Sequence, residues 1–521
     1  MRRRFVLWRA CSQRLGLEEV RAKITGMFKR LSNSPATHCA AAWQGQRSYL
    51  AVLSKRSFAA GLACFILLGV GSLRAASILP PEGDRKLARE IYKEMIESKS
   101  GFSTGETTSI AQAVAARLKA AGFSESNIYV GGAIATKYNV VVRYHGTGAR
   151  KPILLLAHTD VVEAKRDDWS VDPFQLLEKD GYFYGRGTSD DKAQAAVWVA
   201  NLLRYKREGF RPDRDLIVAL TADEEGGGPY NGVDWLLKNK RELIAADFSL
   251  NEGGRGEMID GKRVANDMGL AEKSYADFRL EVRNKGGHSS RPVPDNAIYH
   301  LAGALYRLSS YSFPMQLNEV TRAYFGQLAK IEKGAMAADL AQVAEGSQEA
   351  MKRIAAQSPG MNSMLRTTCV ATQLEGGHAP NALPQLAAAN VNCRIFPDDT
   401  VENVLATLKK VVADDQVAVT IKVDEGKAPP SPMRPDIMKA FNQVTDTMWP
   451  GVITLPSMST GASDGRYLRE AGIPTYGVQG FFMDRNDVRA HGRDERMPVD
   501  SFYEGQTFLY ELVKKLSTAG E

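Results

Sequence analysis

Residues 215–228 read DLIVALTADEEGGG, an apolar run that ends abruptly in three acidic residues and three glycines. The apolar part is short and aliphatic, which is typical of a buried strand. Asp223, Glu224 and Glu225 follow it side by side, and their mutual repulsion is costly unless a positive charge lies among them. A solvated turn is one interpretation, because acidic residues and glycine are common in loops. A cation site at the end of a buried strand is the other.

Three further segments show the same pattern of an apolar run that ends in polar residues: NVVVRYHG (139–146), PILLLAHTD (152–160) and ADFSLNEGG (246–254). Residues 191–209, DKAQAAVWVANLLRYKREG, are long enough for a helix between two of these strands. Strands that alternate with helices predict an α/β fold with a mostly parallel sheet and helices on both faces. In such sheets, ligands bind at the carboxyl ends of the strands.

The pattern changes near residue 273. YADFRLEVRNKGG (275–287) and NVNCRIFPDDT (390–400) alternate like strands with one wet face, and residues 400–414 have the spacing of an amphipathic helix. We therefore expect an α+β domain at 273–425, inserted between two parts of a catalytic domain at 83–272 and 426–517. Within the insert, 315–366 is helical in pattern and carries no chemistry that we can assign.

The basic character of the chain is confined to its beginning. The 521 residues carry a net charge of +7, but residues 1–77 alone carry +11, so that residues 78–521 carry −4. This balance argues against nucleic acid as a partner. Lys55 and Arg56 precede an apolar core at 57–73 and then small residues, as in a secretory signal peptide. We expect a leader at 1–77 and an exported protein, periplasmic or secreted, with an uncleaved membrane anchor through 57–73 as the alternative.

Cys369 and Cys393 are the two cysteines outside the leader. Two cysteines are too few for a metal knuckle, and neither lies in a local catalytic pattern. We therefore expect ordinary half-buried thiols, with a disulfide as the alternative.

Residues whose side chains can bind a metal ion follow the predicted strands or lie in the segment before the closing helix. They are His158, Asp160, Asp190, Asp191, Glu224, Glu225, Glu252 and His491. A lone histidine at a strand end is more often a hydrogen-bonded structural residue, but here two imidazoles and several carboxylates share one predicted edge. Such a set suits Zn²⁺ or a similar divalent ion. Five or more ligands indicate a pair of ions bridged by one carboxylate.

The motifs AHTDVV, GRGTSDDK, TADEEGG, NEGG, NKGGHSSRP and AHGRDER, in this order, resemble those of the co-catalytic di-zinc peptidases and amidohydrolases. That family includes glutamate carboxypeptidase, aminoacylase, succinyl-diaminopimelate desuccinylase and carboxypeptidase S. The resemblance spans about 85–515, and RTTCVATQLEGGHAPNALPQ with CRIFPDDT is most similar to the carboxypeptidase S and N-acyl-amino-acid hydrolase branch. It implies a zinc-exopeptidase catalytic domain with an inserted lid or dimerisation domain.

The resemblance also implies a role for each matching metal ligand. Asp190 bridges two divalent ions, His158 and Glu252 complete one site, and Glu225 and His491 complete the other. Zinc is the expected metal, with cobalt or manganese as alternatives.

Two acidic residues have implied roles other than binding metal. Asp160 is the partner that orients His158. Glu224 is the general base, which takes a proton as a metal-bridged hydroxide attacks an amide carbonyl and then returns it to the leaving amine.

The inserted domain supplies further implied site residues. His288 crosses to the active site of a partner subunit and steadies the oxyanion, which implies a homodimer; a surface histidine is the alternative. Asn381 and Arg394 match residues that bind the free carboxylate of the substrate, although a turn residue and a surface cation are their alternatives. Gly461 matches a glycine of the substrate site.

These observations predict a metal-dependent hydrolase that cleaves an amide or peptide bond next to a free carboxylate, as a carboxypeptidase or N-acyl-amino-acid hydrolase does. Its substrate would be a small peptide or an N-acyl amino acid. A dipeptidase or aminopeptidase of the same family is the alternative. The resemblance modestly disfavours it, because in this family a glutamate at the position of Glu252 accompanies carboxypeptidase and acylase activity, and an aspartate accompanies aminopeptidase activity. A non-catalytic binding protein on the same fold is a remote alternative, because the base and every ligand are present.

Overall fold

A computed structural model describes residues 78–518 of the chain. The predicted leader, including the apolar core at 57–73 and its interpretation as a signal peptide or membrane anchor, lies outside these residues. Within 78–518, no helix is both long enough and apolar enough to cross a membrane.

The described residues form fourteen α-helices. They are α1 (Glu82–Glu97), α2 (Thr108–Ala120), α3 (Lys192–Glu208), α4 (Gly232–Asn239), α5 (Arg241–Ile244), α6 (Ala297–Ser310), α7 (Glu319–Leu328), α8 (Gly334–Ala344), α9 (Gln348–Gln357), α10 (Pro359–Met364), α11 (Val401–Val412), α12 (Pro435–Met448), α13 (Gly465–Glu470) and α14 (Val499–Leu516).

Nineteen strands accompany these helices within the same residues. They are β1 (Ile128–Gly132), β2 (Tyr138–Tyr144), β3 (Ile153–His158), β4 (Leu177–Lys179), β5 (Tyr182–Tyr184), β6 (Leu216–Thr221), β7 (Phe248–Asn251), β8 (Gly256–Ile259), β9 (Lys262–Glu272), β10 (Ser274–Arg283), β11 (Gly287–His288), β12 (Thr368–Gly376), β13 (Ala382–Leu383), β14 (Leu386–Ile395), β15 (Ala418–Asp424), β16 (Ile453–Ser459), β17 (Thr475–Gly477), β18 (Phe482–Asp484) and β19 (Arg496–Pro498).

A ten-stranded sheet in the order β1-β2-β6-β3-β7-β17-β9-β8-β18, with β16 beside β9, forms the centre of the fold. Five of its nine strand pairings are parallel, and four are antiparallel. The predicted α/β fold with a mostly parallel sheet is confirmed. Strands β6, β3 and β7 are adjacent and parallel, so their carboxyl ends lie at one edge.

Both faces of this sheet are covered, which explains why β3 and β6 are buried along their whole length and apolar up to their last residues. Successive side chains of a strand point to opposite faces. Leu155 packs into a large cluster with residues of α1, α3 and α14, whereas Leu154 packs into a second cluster with residues of α4. Trp198 of α3 also donates a hydrogen bond from its indole nitrogen to the Leu156 carbonyl oxygen, at 3.0 Å.

A second, antiparallel sheet has the order β12-β14-β10-β15. One face packs on α6 and α11 around a separate core that includes Phe278 and Leu280. All four strands lie within 273–425, as expected for the inserted segment, while the domain boundaries themselves stay a prediction. Residues 315–366 form α7 to α10 around their own apolar cluster, and α7 packs on β16 of the large sheet.

Lys273 connects the two sheets. It lies between β9 and β10 and is fully buried. Its ammonium donates hydrogen bonds to the carbonyl oxygens of Ser363 and Arg366, at 3.0 and 2.8 Å, and to the Thr368 hydroxyl at 3.0 Å. Burial, followed by the positive charge of Arg394, lowers the pKa of Lys273 to about 7. The chain that links the sheets is thereby bonded to the end of the helical segment α7–α10.

The expectation of ordinary thiols at Cys369 and Cys393 is wrong, because the two form a disulfide. They are direct partners on the neighbouring antiparallel strands β12 and β14. Opposite residues of an antiparallel pair have adjacent side chains, which allows the sulfurs to meet.

Candidate metal centre

The carboxyl ends of three parallel strands bring the predicted ligands together. His158 is the last residue of β3 and is level with Thr221, the last residue of β6. Glu224 and Glu225 lie in the turn after β6, and Glu252 follows the last residue of β7. The sheet therefore brings together residues that are up to 94 positions apart in the sequence.

Asp223 does not face its two acidic neighbours. It has a φ of 62°, in the left-handed region, and its carboxylate pairs with the ammonium of Lys137 at 3.0 Å. Both side chains are buried, so each neutralises the charge of the other, and either charge would be costly to bury alone. The crowding of three carboxylates in TADEEGGG is thus divided between an ion pair on one side and the metal-ligand cluster on the other.

Asp190 lies between the two histidines. One carboxylate oxygen is 3.0 Å from His158 Nε2, and the other is 3.2 Å from His491 Nε2. Glu252 lies 3.8 Å from the same nitrogen of His158, and Glu225 lies 2.9 Å from that of His491. The cluster therefore has two halves, one with His158 and Glu252 and the other with His491 and Glu225, and Asp190 belongs to both.

His158 is oriented by the backbone. Its Nδ1 is 3.0 Å from the main-chain oxygen of Asp160, so this nitrogen donates and Nε2 faces Asp190. The Asp160 carboxylate is farther away, at 3.7 Å, and instead accepts hydrogen bonds from the backbone N–H groups of Glu224 and Glu225, at 3.1 and 3.0 Å. The position expected to orient His158 thus also holds the loop that carries the two glutamates.

Burial and the concentration of charge shift the pKa values of the cluster. Burial raises the pKa of Glu224 and that of Glu252 well above the usual range, and neighbouring carboxylates add to the effect. Burial alone would lower the pKa of His158, but the bond to Asp190 and the nearby carboxylates raise it overall. Bonds to Asp190 and Glu225 raise the pKa of His491 to about 10. The field of the cluster therefore favours positive charge at its centre.

The donor set fits divalent cations. Two overlapping groups of side chains, both of which include His158, have ligand atoms within 4.8 Å of one another. One is His158 with Asp190 and Glu225, and the other is His158 with Glu224 and Glu252. Imidazole nitrogen and carboxylate oxygen are suitable ligands for zinc and similar ions. A carboxylate with one oxygen toward each half has the arrangement of a residue shared by two ions.

Sequence reasoning missed Glu495, a fully buried carboxylate beneath the loop that carries Asp190. Glu495 accepts hydrogen bonds from the backbone N–H groups of Gly187, Ser189 and Asp190, at 3.1, 2.7 and 3.2 Å, and pairs with Arg186 at 2.7 Å. Its place in AHGRDER, four residues after His491, was the available signal. Because it touches the loop backbone, we regard Glu495 as the residue that shapes the loop.

Glu495→Gln should lower the free energy of unfolding by about 2 kcal/mol, because the buried Arg186 and the loop N–H groups lose a charged acceptor. Metal affinity should fall as well, since the backbone N–H of Asp190 is held less firmly. Urea unfolding and metal titration measure the two effects. Glu504→Gln is a matched control, because Glu504 is also buried and paired with an arginine, Arg263, outside the cluster. Equal metal affinity in Glu495→Gln and the wild type would contradict this role.

His288 and Asn381 lie close to each other in the inserted segment. They lie on and beside the ribbon of β11 and β13, where the Ser289 N–H donates to the Asn381 carbonyl oxygen at 3.0 Å. Both are exposed, and His288 Nδ1 accepts hydrogen bonds from Ser290. Within 78–518, no hydrogen bond or ion pair joins His288 to the cluster.

Arg394 and Gly461 are the other two predicted substrate-binding residues. Gly461 follows β16, and its N–H donates to the Ser459 hydroxyl at 3.0 Å. Arg394 lies on β14 with its guanidinium over the Tyr275 ring, Cζ being 4.8 Å from the ring centroid. Its charge, with that of Arg466, acts on Glu425, a carboxylate that lies beside Gly227. Across the described part of the chain, Arg394 donates no hydrogen bond and forms no ion pair.

Comparisons with known proteins give matches over most of the chain. The sequence profile described as Peptidase family M20/M25/M40 matches residues 154–515. The chain is 30% identical over 381 residues to the N-fatty-acyl-amino acid synthase/hydrolase PM20D1 of Homo sapiens, covering 71% of this chain and 75% of that protein. It is 29% identical over 397 residues to the probable carboxypeptidase S-like 2 of Dictyostelium discoideum, covering 73% and 75%.

A solved structure has the same fold. The M20 family metallo-carboxypeptidase Sso-CP2 from Sulfolobus solfataricus superposes with a TM-score of 0.63 at 18% sequence identity, covering 82% of this chain and 98% of that one.

Proposed function

The chain belongs to peptidase family M20/M25/M40 and is a hydrolase of that family, and from this premise we propose that it cleaves the amide bond of N-acyl amino acids or small peptides next to their free carboxylate. The observation that supports this proposal most directly is the environment of Arg394. Arg394 is half-buried and has no acceptor among residues 78–518, and its charge acts on Glu425, whose carboxylate lies beside Gly227, three residues after Glu224. A guanidinium in such a setting suits a carboxylate, which it can bind through two parallel hydrogen bonds.

We assign the metal ligands as two sets that share Asp190: His158 and Glu252, and Glu225 and His491. The distances from Asp190 to the two histidines support this division. Bound divalent ions, for which we propose zinc, would supply Lewis acidity at the amide carbonyl and a water of lowered pKa. Metal analysis of the purified protein tests the identity and number of the ions.

Glu224 is the proposed proton carrier. Its backbone is held by Asp160, while its carboxylate lies with His158 and Glu252 at the centre of the cluster. Burial raises the pKa of Glu224, which favours a carboxyl group that accepts a proton and then gives it to the leaving amine.

Arg394→Ala should raise KM for an N-acyl amino acid by about 10- to 100-fold, because a charged hydrogen-bonded pair is lost. The matching N-acyl amino acid carboxamide, which has no charge to pair with Arg394, should be little affected. Steady-state kinetics with both compounds measure the ratio. Arg279→Ala is the matched control, since Arg279 lies on the same sheet but is already paired with Glu281 and Glu375.

Kinetics with dipeptides test the alternative activity, that of a dipeptidase or aminopeptidase. Dipeptides with a free amine and a blocked carboxyl end should be poor substrates under this proposal. If they are cleaved while N-acyl amino acids are not, the protein is a dipeptidase or aminopeptidase, and the assignment of Arg394 to a carboxylate fails.

We further propose that the active unit is a homodimer in which His288 of one subunit serves the other. Two observations support it. His288 is exposed, and among residues 78–518 no hydrogen bond or ion pair joins it to the cluster of its own chain. Apolar side chains are exposed on neighbouring β12 and α6. Leu374 and Val370 are 70% and 60% exposed, and Tyr306 and Tyr299 are 74% and 66% exposed. Exposed apolar groups on two adjoining elements at the edge of the four-stranded sheet indicate an interaction site.

We propose that the protein is exported. The basic and apolar pattern before residue 78 and the disulfide Cys369–Cys393 support this location, because structural disulfides persist in oxidising compartments. Fractionation of cells that express the full chain tests it, with retention in the membrane fraction as the result expected for an uncleaved anchor.

A further inference from the structure

Tyr275 underlies Arg394 on the four-stranded sheet. The two residues are direct partners on the antiparallel strands β10 and β14, and the guanidinium carbon is 4.8 Å from the ring centroid. Neighbouring residues such as Ala276 and Cys393 face the core formed with α6 and α11. By the alternation of a strand, Tyr275 and Arg394 therefore point away from that core.

The Tyr275 ring is itself held in place. Its hydroxyl donates to one oxygen of Asp277 at 2.9 Å. The other oxygen of Asp277 accepts hydrogen bonds from the amide groups of Asn392 and Asn390, at 2.8 and 3.1 Å. Burial alone would raise the pKa of Asp277, but these three bonds lower it overall, while burial and Asp277 raise the pKa of Tyr275 to about 12. The carboxylate thus stays an acceptor and the phenol stays a donor.

Stacking and carboxylate binding use different parts of a guanidinium. The five N–H groups lie in its plane, whereas the ring contacts its face. A stacked arginine therefore keeps its donors for a ligand, and less side-chain entropy is lost when the ligand arrives.

We propose that Tyr275 is a positioning residue for the free carboxylate of the substrate: its ring, anchored by Asp277, holds the Arg394 guanidinium by stacking and leaves the N–H edge for the ligand. This inference rests on the proposed function, in which Arg394 binds that carboxylate. It adds a specificity-determining residue that acts through Arg394 and touches no reacting atom.

Tyr275→Leu should raise KM for an N-acyl amino acid by about 3- to 30-fold, the range expected for a cation–π contact at a partly buried site. The kcat should change by no more than about twofold, and KM for the carboxamide analogue should stay near the wild-type value. Tyr275→Phe keeps the ring and should restore most of the preference for the carboxylate. In the background of Arg394→Ala, Tyr275→Leu should have no further effect on that preference.

Tyr503→Leu is the matched control, because Tyr503 is also half-buried beneath an arginine, with Arg85 Cζ 5.8 Å from its ring centroid, but lies on α14. The ratio of carboxylate to carboxamide kinetics is measured within one preparation, so partial unfolding lowers both rates and leaves the ratio unchanged. If Tyr275→Leu does not accumulate, Tyr275→Met replaces it.

Two outcomes separate this inference from the proposed function. If Arg394→Ala abolishes the preference for the carboxylate and Tyr275→Leu retains it, the inference alone is overturned. If Arg394→Ala also retains the preference, the proposed function fails together with it. Equal losses in Tyr275→Phe and Tyr275→Leu would overturn stacking as the cause, because the hydroxyl would then be the group that matters.

Discussion

Replacement of Glu224 by glutamine should slow amide hydrolysis by about 10²- to 10⁴-fold and leave the metal content of the protein unchanged. Glutamine has nearly the same shape and keeps the backbone hydrogen bond to Asp160, so the loop should not move. It has no basic oxygen that can take up a proton. The loss should therefore appear in kcat, while KM for an N-acyl amino acid should change little.

The neighbouring glutamate is an informative comparison. Glu225→Gln should lose metal as well as activity, because its carboxylate lies 2.9 Å from His491 in one half of the cluster. Glu345→Gln is the neutral control, since Glu345 is exposed at the end of α8. Metal analysis beside steady-state kinetics distinguishes the two roles. Loss of an ion in Glu224→Gln would make Glu224 a ligand, and full activity would remove it from the mechanism.

The meeting of the metal ligands at the strand ends could be predicted because two simple rules act together. Apolar runs locate the buried strands, and adjacent parallel strands must end at the same edge of the sheet. His158, Glu224 and Glu252 follow such runs, and the structure brings them within reach of one another. No single motif was sufficient, since each residue taken alone has a structural explanation.

The supporting contacts could not be predicted because they depend on loop paths. Glu495 lies 305 positions from Asp190 and reaches its backbone N–H, and Lys137 lies 86 positions from Asp223. A sequence pattern indicates which face a residue occupies, but it does not indicate how a loop folds back over a strand end.

Strand register explains the incorrect expectation for the cysteines. Cys369 and Cys393 are opposite each other only in the particular alignment of β12 with β14, which contains an irregularity between Ala371 and Gln373. A shift of one residue would turn one side chain to the other face. Alternation alone does not specify this alignment.

His288→Ala should reduce hydrolysis by about 10²- to 10³-fold, the loss expected when one donor to a developing oxyanion is removed. The structure makes the source of this donor testable. His288 lies on the exposed ribbon of β11 and β13 and has no bond to the cluster of its own chain within residues 78–518. If the histidine comes from a second subunit, two inactive variants should complement each other.

The test uses His288→Ala and Glu224→Gln chains that carry different affinity tags and are expressed together. In the mixed dimer, the site with an intact Glu224 receives an intact His288, whereas the other site lacks both, so each mixed dimer should have about half the activity of the wild-type dimer. His378→Ala is the control, because His378 is exposed in the connection from β12 to β13, and it should remain active. If the purified mixed dimer is as inactive as its parents, His288 does not act across the interface. If the protein sediments only as a monomer, a site shared between subunits is excluded.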